Sequence, residues 1–187
     1  MNSASHRSEE KLAVYGCAGL ARTPGARVLI GGLGMGFTAR AALDVLARDA
    51  EVVVVESVAA VVRWNREVIG HLAREPLADP RLSVVEADVV DAIAAAACRY
   101  DAILLDVDNG PEAFTLRSNG HLYSAEGLAR LSRSLTAGGV LAVWSSSAAP
   151  DFVRRLRRAG FEPRTERVSP RGGAGRRSHT LFLARRR

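Results

Sequence analysis

The residues best suited to chemistry form a series of short motifs, each following an apolar run. Gly32, Gly34 and Gly36 in GGLGMG come directly after Arg27-Val28-Leu29-Ile30-Gly31. Glycines at such a place let the backbone turn tightly and let a ligand approach without a side chain in the way. The spacing is G-x-G-x-G, which misses the dinucleotide fingerprint at its third glycine. Glu56 closes the run Val52-Val53-Val54-Val55 and stands 20 residues after Gly36. An acid at that distance can accept hydrogen bonds from both hydroxyls of a ribose. Asp88 and Val89 end a third run, offering a carboxylate to an adenine amino group and an apolar neighbour to its ring, although Asp88 also reads as a helix N-cap. A fourth run ends in Asp106-Val107-Asp108-Asn109-Gly110-Pro111. Two carboxylates and an Asn at the end of a buried strand need a cation, a donor or water; a network of Asx turns is the alternative. In order and spacing, the four motifs together point to a nucleoside site.

Such motifs need elements that bring them to one place. Residues 27–30, 51–56, 82–86, 101–106 and 140–144 read as strands, the second fully apolar and β-branched as in a strand buried on both faces. Residues 37–48, 58–73, 91–97, 125–135 and 151–159 read as helices. Val61, Val62, Val68, Ile69 and Leu72 make the inner face of the second, with Trp64 in the core or an interface. Ala137-Gly138-Gly139 closes the fourth at a left-handed helix end. Two further strands are expected at 161–168 and 180–184, with Phe152, Phe161 and Phe182 at core positions and Trp144 in the core. Residues 1–25 carry little pattern. Strands alternating with helices of this length predict a parallel α/β sheet, which takes its ligand outside the carboxyl ends of its strands.

With 187 residues, 48% hydrophobic and 25% charged, the chain is too apolar for a disordered protein and fits one domain. Residues 1–24 are expected as an N-terminal extension and 25–187 as one domain. No stretch approaches the roughly 20 apolar residues of a membrane span, and the polar start has no apolar core of a secretory signal. A cytoplasmic protein without membrane contact is the expectation. Cys17 and Cys98 provide neither a disulfide framework nor a readable base partner. His71, His121 and His179 are scattered, so no metal is expected. The net charge of +6 is uneven: residues 151–187 hold twelve Arg against three acids, a balance of +9, which leaves −3 for residues 1–150. This Arg-rich part reads as a solvated helix face and an edge strand.

GGLGMG, VVVVE, Asp79-Pro80-Arg81-Leu82 leading into VVEADV, YDAILLDVDNGP, Leu122-Tyr123-Ser124 and GGVLAVW resemble the catalytic domain of the spermidine/spermine synthase (polyamine aminopropyltransferase) family. The likeness runs from about Gly25 to Ser146. It implies a Rossmann-like class I methyltransferase fold with a mostly parallel seven-stranded sheet and helices on both faces. It also implies that Gly32, Gly34, Gly36, Glu56, Asp88 and Val89 hold decarboxylated S-adenosylmethionine or S-adenosylmethionine, with no metal. Asp106 matches the acid that orients and deprotonates an attacking amine, and Asp108 would assist it. Two departures stand out. About 25 residues precede the first strand where the family carries an N-terminal β domain that helps build its dimer, so a homodimer here would have fewer contacts. The loop D-V-D-N-G-P is two residues shorter than the family's, with Asn109 in place of its second acid.

Three functions follow in order. The first is aminopropyl transfer to a small-molecule amine, with Asp106 as base and Asp108 and Glu112 beside it. The second is methyl transfer to a small molecule or, less favoured, RNA drawn by the arginine tail. The third is a nucleoside-binding paralogue without chemistry. His121 and Tyr123 read as loop residues before they read as part of an acceptor pocket.

Overall fold

The computed structural model describes residues 6–94, 99–107, 110–111, 121–169 and 178–187. The apolar runs become strands β1 (Arg27–Gly31), β2 (Glu51–Glu56), β3 (Leu82–Glu86), β4 (Tyr100–Leu105) and β5 (Leu135–Ser145), followed by β6 (Phe161–Val168) and β7 (His179–Arg186). They join in one sheet in the order β3-β2-β1-β4-β5-β7-β6. The first five are parallel, and β7 runs antiparallel between β5 and β6. The helices are α1 (Arg7–Gly16), α2 (Phe37–Val45), α3 (Ala59–Trp64), α4 (Val89–Ala94), α5 (Ala125–Ser134) and α6 (Pro150–Arg158).

Successive side chains of a strand point to opposite faces, and the two cores follow that alternation. Val28, Ile30, Val54, Ala102 and Leu104 pack with Leu12, Ala42, Leu43 and Val62 of α1, α2 and α3. Leu29, Ile103, Leu105, Leu141 and Val143 pack with Ile93, Leu128, Leu131, Phe152 and Leu156 of α4, α5 and α6. Each of the buried Val, Leu, Ile and Phe side chains among these contributes about 1.5–3 kcal/mol relative to exposure. Phe152, Phe161 and Phe182 are fully buried, as their pattern predicts.

Four expectations are corrected. The patternless N-terminus contains α1, which lies so close to the sheet that a Cβ on Gly16 would fall 2.4 Å from Leu104 Cδ2. Its inward stripe of Ser8, Leu12, Ala13 and Gly16 holds one large apolar residue, too faint a signal to read. The helix expected over 58–73 is α only to Trp64, then π over Asn65–Ile69 and 3-10 over Gly70–Ala73. The change of winding turns Val62, Asn65, Gly70 and Ala73 inward and leaves Trp64, Val68 and Leu72 exposed. Gly138 does not close a helix: α5 ends at Ser134 with Leu135 extended, and Gly138 (φ +75°) lies inside β5, where pairing with β4 shifts register. Trp144 is half-buried rather than core, its ring meeting His179 edge-on at 4.6 Å.

Candidate functional site

The register of the parallel strands brings their carboxyl ends level. Gly31 pairs with both Val55 and Leu105, and Glu56 pairs with Glu86. Gly32 then donates to Val55 O at 2.8 Å, and Asp106 N–H donates to Gly31 O at 2.9 Å. The motifs read from sequence therefore meet at one edge, around the β1/β4 position where strand order reverses and such sheets bind ligands.

Gly32, Gly34 and Gly36 have φ of +90°, +53° and +84°, a region that L side chains rarely enter. At Gly32 the need is also steric, because a Cβ would stand 2.5 Å from the Asp106 carbonyl oxygen. The loop passes directly over the end of β4 and delivers the chain into α2. Glu56, buried at the tip of β2, fastens it from the other side. Its Oε2 accepts from Leu33 N–H and its Oε1 from Val58 N–H, both at 2.9 Å. A carboxylate has about four acceptor sites, so each oxygen can still take a hydroxyl proton.

Asp88 does both things its sequence suggests. Its Oδ1 accepts from Val90 N–H at 2.8 Å, capping α4. The residue also lines a cleft of about 290 Å3 with Val90, Asp91, His121, Ser124 and Arg130. Val89 is buried beneath the loop, its Cγ2 2.9 Å from where a Cβ on Gly31 would be. Tyr123 is buried against Phe152, ring centroids 5.4 Å apart, while His121 faces the cleft. Asp108, Asn109, Glu112 and Cys98 lie outside the described residues. Burial pushes the Cys17 thiol up to about 12, which leaves no thiolate near neutral pH.

Asp106 follows β4 immediately. The residue is half-buried, but its Oδ2 faces inward and accepts the Thr38 hydroxyl at 2.7 Å. Desolvation pushes its carboxyl up from 3.8 to about 6; the Thr38 bond opposes the rise and the negative charge of Glu9 adds to it. A carboxylate near 6 is ionised at neutral pH and still basic enough to take a proton.

Sequence reasoning missed three residues behind Asp106. Thr38 sits two places after the last loop glycine, with no signal linking it to a residue 68 positions on. Ser8 and Glu9 come from the unread α1. The buried Ser8 hydroxyl donates to Glu9 Oε2 at 2.6 Å and meets His179 Nδ1 at 2.9 Å. Burial lowers the affinity of His179 for its proton, and the Glu9 charge opposes that effect.

The motifs that carry the resemblance divide by position. Asp79 and Arg81 form a two-bond pair at 2.8 and 2.9 Å, and Arg81 also donates to Leu46 O and Ala47 O past the end of α2. Asp101 accepts from Arg27 N–H and Thr136 Oγ1 at 2.9 and 3.0 Å. These residues tie elements together at the amino ends of the strands, opposite the site.

Fold and site define a class I methyltransferase-type α/β domain, with a glycine loop after β1 and acids at the ends of β2 and β4. The chain belongs to the S-adenosyl-L-methionine-dependent methyltransferase family, whose model matches residues 56–184. A search of curated proteins finds no match. Among solved structures, it is similar to spermidine synthase from Thermotoga maritima, at 20% identity and a TM-score of 0.74, over 96% of this chain and 59% of that one. It is also similar to 1,6-didemethyltoxoflavin-N1-methyltransferase from Burkholderia thailandensis, at 22% identity and 0.66, over 97% and 79%. TrmN from Thermus thermophilus matches at 22% identity and 0.65, over 99% and 52%. The chain thus spans just under three-fifths of the length of the spermidine synthase. No helix among the described residues is long and apolar enough to cross a membrane.

Proposed function

We propose that this protein transfers a methyl group from S-adenosylmethionine to a nitrogen of a small-molecule amine, with Asp106 as the general base. The observation that carries the reading is Asp106 itself: a desolvated carboxylate, held by Thr38, level with the glycine loop and Glu56. The family match supports methyl as the transferred group.

The residues present fit an S-adenosyl ligand. Gly32, Gly34 and Gly36 leave the loop backbone bare at three positions, Glu56 has acceptor capacity left for a ribose, and the cleft at Asp88 offers a carboxylate and the Val90 side chain to a base. When bound, the sulfonium supplies an activated methyl carbon: the acceptor nitrogen forms a bond to it as the carbon–sulfur bond breaks, its electron pair going to sulfur. Asp106 receives the proton that the nitrogen loses, and Thr38 fixes which oxygen is turned inward. The protein contributes alignment, a base and exclusion of water. Within this reading, Asp88 and Val89 serve the base, residues 25–187 act as one domain, and Asp108 assists Asp106.

Aminopropyl transfer is the second reading, favoured by the likeness of Tyr100–Leu105 and the acid after it to the aminopropyltransferases. Calorimetric titration with S-adenosylmethionine, its decarboxylated form and methylthioadenosine separates the two. Tighter binding of the intact form supports methyl transfer, and tighter binding of the decarboxylated form replaces it with aminopropyl transfer. Binding of none refutes both.

A further inference from the structure

Asn65 is the one residue of the π-wound turn that is fully enclosed, at 1% exposure. Its Nδ2 donates to Val61 O at 3.0 Å and to Gly34 O, in the glycine loop, at 2.8 Å. Its Oδ1 is buried without a partner and would stand 3.2 Å from a Cβ on Gly36. An amide with an unsatisfied oxygen is an expensive way to fill a core position, and an apolar side chain would pack there without that cost. Of the two bonds the amide adds, the one to Val61 O stays within the same helix and the one to Gly34 O reaches the glycine loop.

Gly34 O and Met35 N–H belong to the same planar trans peptide, so they point in opposite directions. Anchoring the carbonyl toward Asn65 turns the Met35 N–H away from it. That N–H has no partner within the protein among the described residues. Gly34 has φ +53°, and a glycine linkage can rotate its peptide at little cost unless something holds it.

We infer that Asn65 is a positioning residue that presets the Gly34–Met35 peptide so that Met35 N–H receives the carboxylate of the amino-acid end of the ligand. The inference rests on the S-adenosyl reading above and deepens it, because it selects the carboxylate-bearing form over the decarboxylated one. A backbone donor to a charged acceptor is among the stronger hydrogen bonds. Fixing its direction in advance removes an ordering cost from binding.

The test compares two ligands that share the nucleoside and differ in the amino-acid end. S-adenosylhomocysteine carries the carboxylate, and methylthioadenosine ends in a methyl group. Asn65→Ala is expected to weaken S-adenosylhomocysteine about tenfold while leaving methylthioadenosine within about twofold. Asn65→Leu keeps roughly the volume, loses the donor without adding a charge and is expected to do the same, which covers the case that the alanine variant does not fold. Val62→Ala, a buried change on the same helix outside the site, is expected to lower thermal stability and shift neither affinity. Equal weakening of both ligands by the Asn65 variants would reduce Asn65 to scaffold and overturn the inference. So would no change in either. If the wild-type protein binds methylthioadenosine but not S-adenosylhomocysteine, the nucleoside site stands and the carboxylate inference fails. If it binds neither, the S-adenosyl reading fails first and takes the inference with it.

Discussion

Thr38 and Asp106, 68 residues apart, share a 2.7 Å hydrogen bond across the top of the sheet. It joins the first turn of α2 to the end of β4 and settles how the carboxylate faces. One oxygen is committed to the hydroxyl inside, so the other is the one available to an incoming proton. Losing that bond leaves a desolvated carboxylate less supported. Thr38→Val is expected to raise the Asp106 carboxyl further and move the acid limb of the activity profile upward in pH. A limb that stays in place in Thr38→Val would remove Thr38 from the account.

Asp106 as base makes the rate depend on its ionised form. With the carboxyl pushed up to about 6, kcat/KM is expected to rise with pH through about 6 and level off above 7. Asp106→Asn should reduce kcat by roughly 10²-fold or more and abolish that rise, with S-adenosylhomocysteine affinity kept within a few-fold. Turnover by the variant at wild-type rates would reject the assignment.

The same shift has a consequence for stability with the opposite sign. Asp106 holds its proton more tightly folded, at about 6, than unfolded, at 3.8. Between those values the folded protein binds more protons, so stability falls as pH rises, and the penalty is complete above pH 6. Asp106→Asn removes it. The variant should melt higher than wild type at pH 8, by up to about 3 kcal/mol of stability, and the difference should shrink toward zero near pH 4. Thermal melts across that range decide the matter; a difference independent of pH would mean the carboxyl is not desolvated.

Much of this was legible in sequence because the signals were local. GGLGMG, VVVVE and DAILLD each couple a strand to its terminal residue, so strand placement carried Gly32, Glu56 and Asp106 to the same edge. Asp88 was ambiguous in sequence and remains double in the structure, as a cap and as a wall of the cleft. What escaped were residues whose meaning comes from contact between distant segments. Asn65 looked like one polar position on an amphipathic helix, and only the π winding turns it under the glycine loop. Glu9 and Ser8 sit on a helix whose buried face is mostly small residues. Conversely, Asp79, Arg81 and Asp101 made the resemblance specific yet stand at the far end of the strands, where they hold the fold.

That placement predicts how the Asp79–Arg81 pair fails. Its hydrogen bonds to Arg81, and then the charge of that guanidinium, hold the Asp79 carboxyl down at about 2, below the 3.8 of an unfolded chain. The stabilisation is therefore full above about pH 5 and is lost as pH falls through 2. Asp79→Asn should cost about 1–2 kcal/mol at pH 7, shrink to little at pH 2, and leave ligand affinity unchanged.

Gly32 is where fold and site demands coincide. An alanine there must adopt φ near +90° and bring its Cβ to 2.5 Å from the Asp106 carbonyl, so either the loop lifts or β4 yields. Gly138 offers the comparison, with φ +75° and its nearest obstacle the flexible end of Arg185 at 3.3 Å. Both substitutions carry backbone strain of about 1–3 kcal/mol. Only Gly32→Ala also shifts the end of β4, and with it the carboxylate that Thr38 holds. Gly138→Ala is expected to lower the melting temperature and spare ligand binding. Gly32→Ala should lower both, and should displace the pH limb of activity as well. If the two variants bind S-adenosylhomocysteine equally well, the close approach of the loop to Asp106 has no part in forming the site.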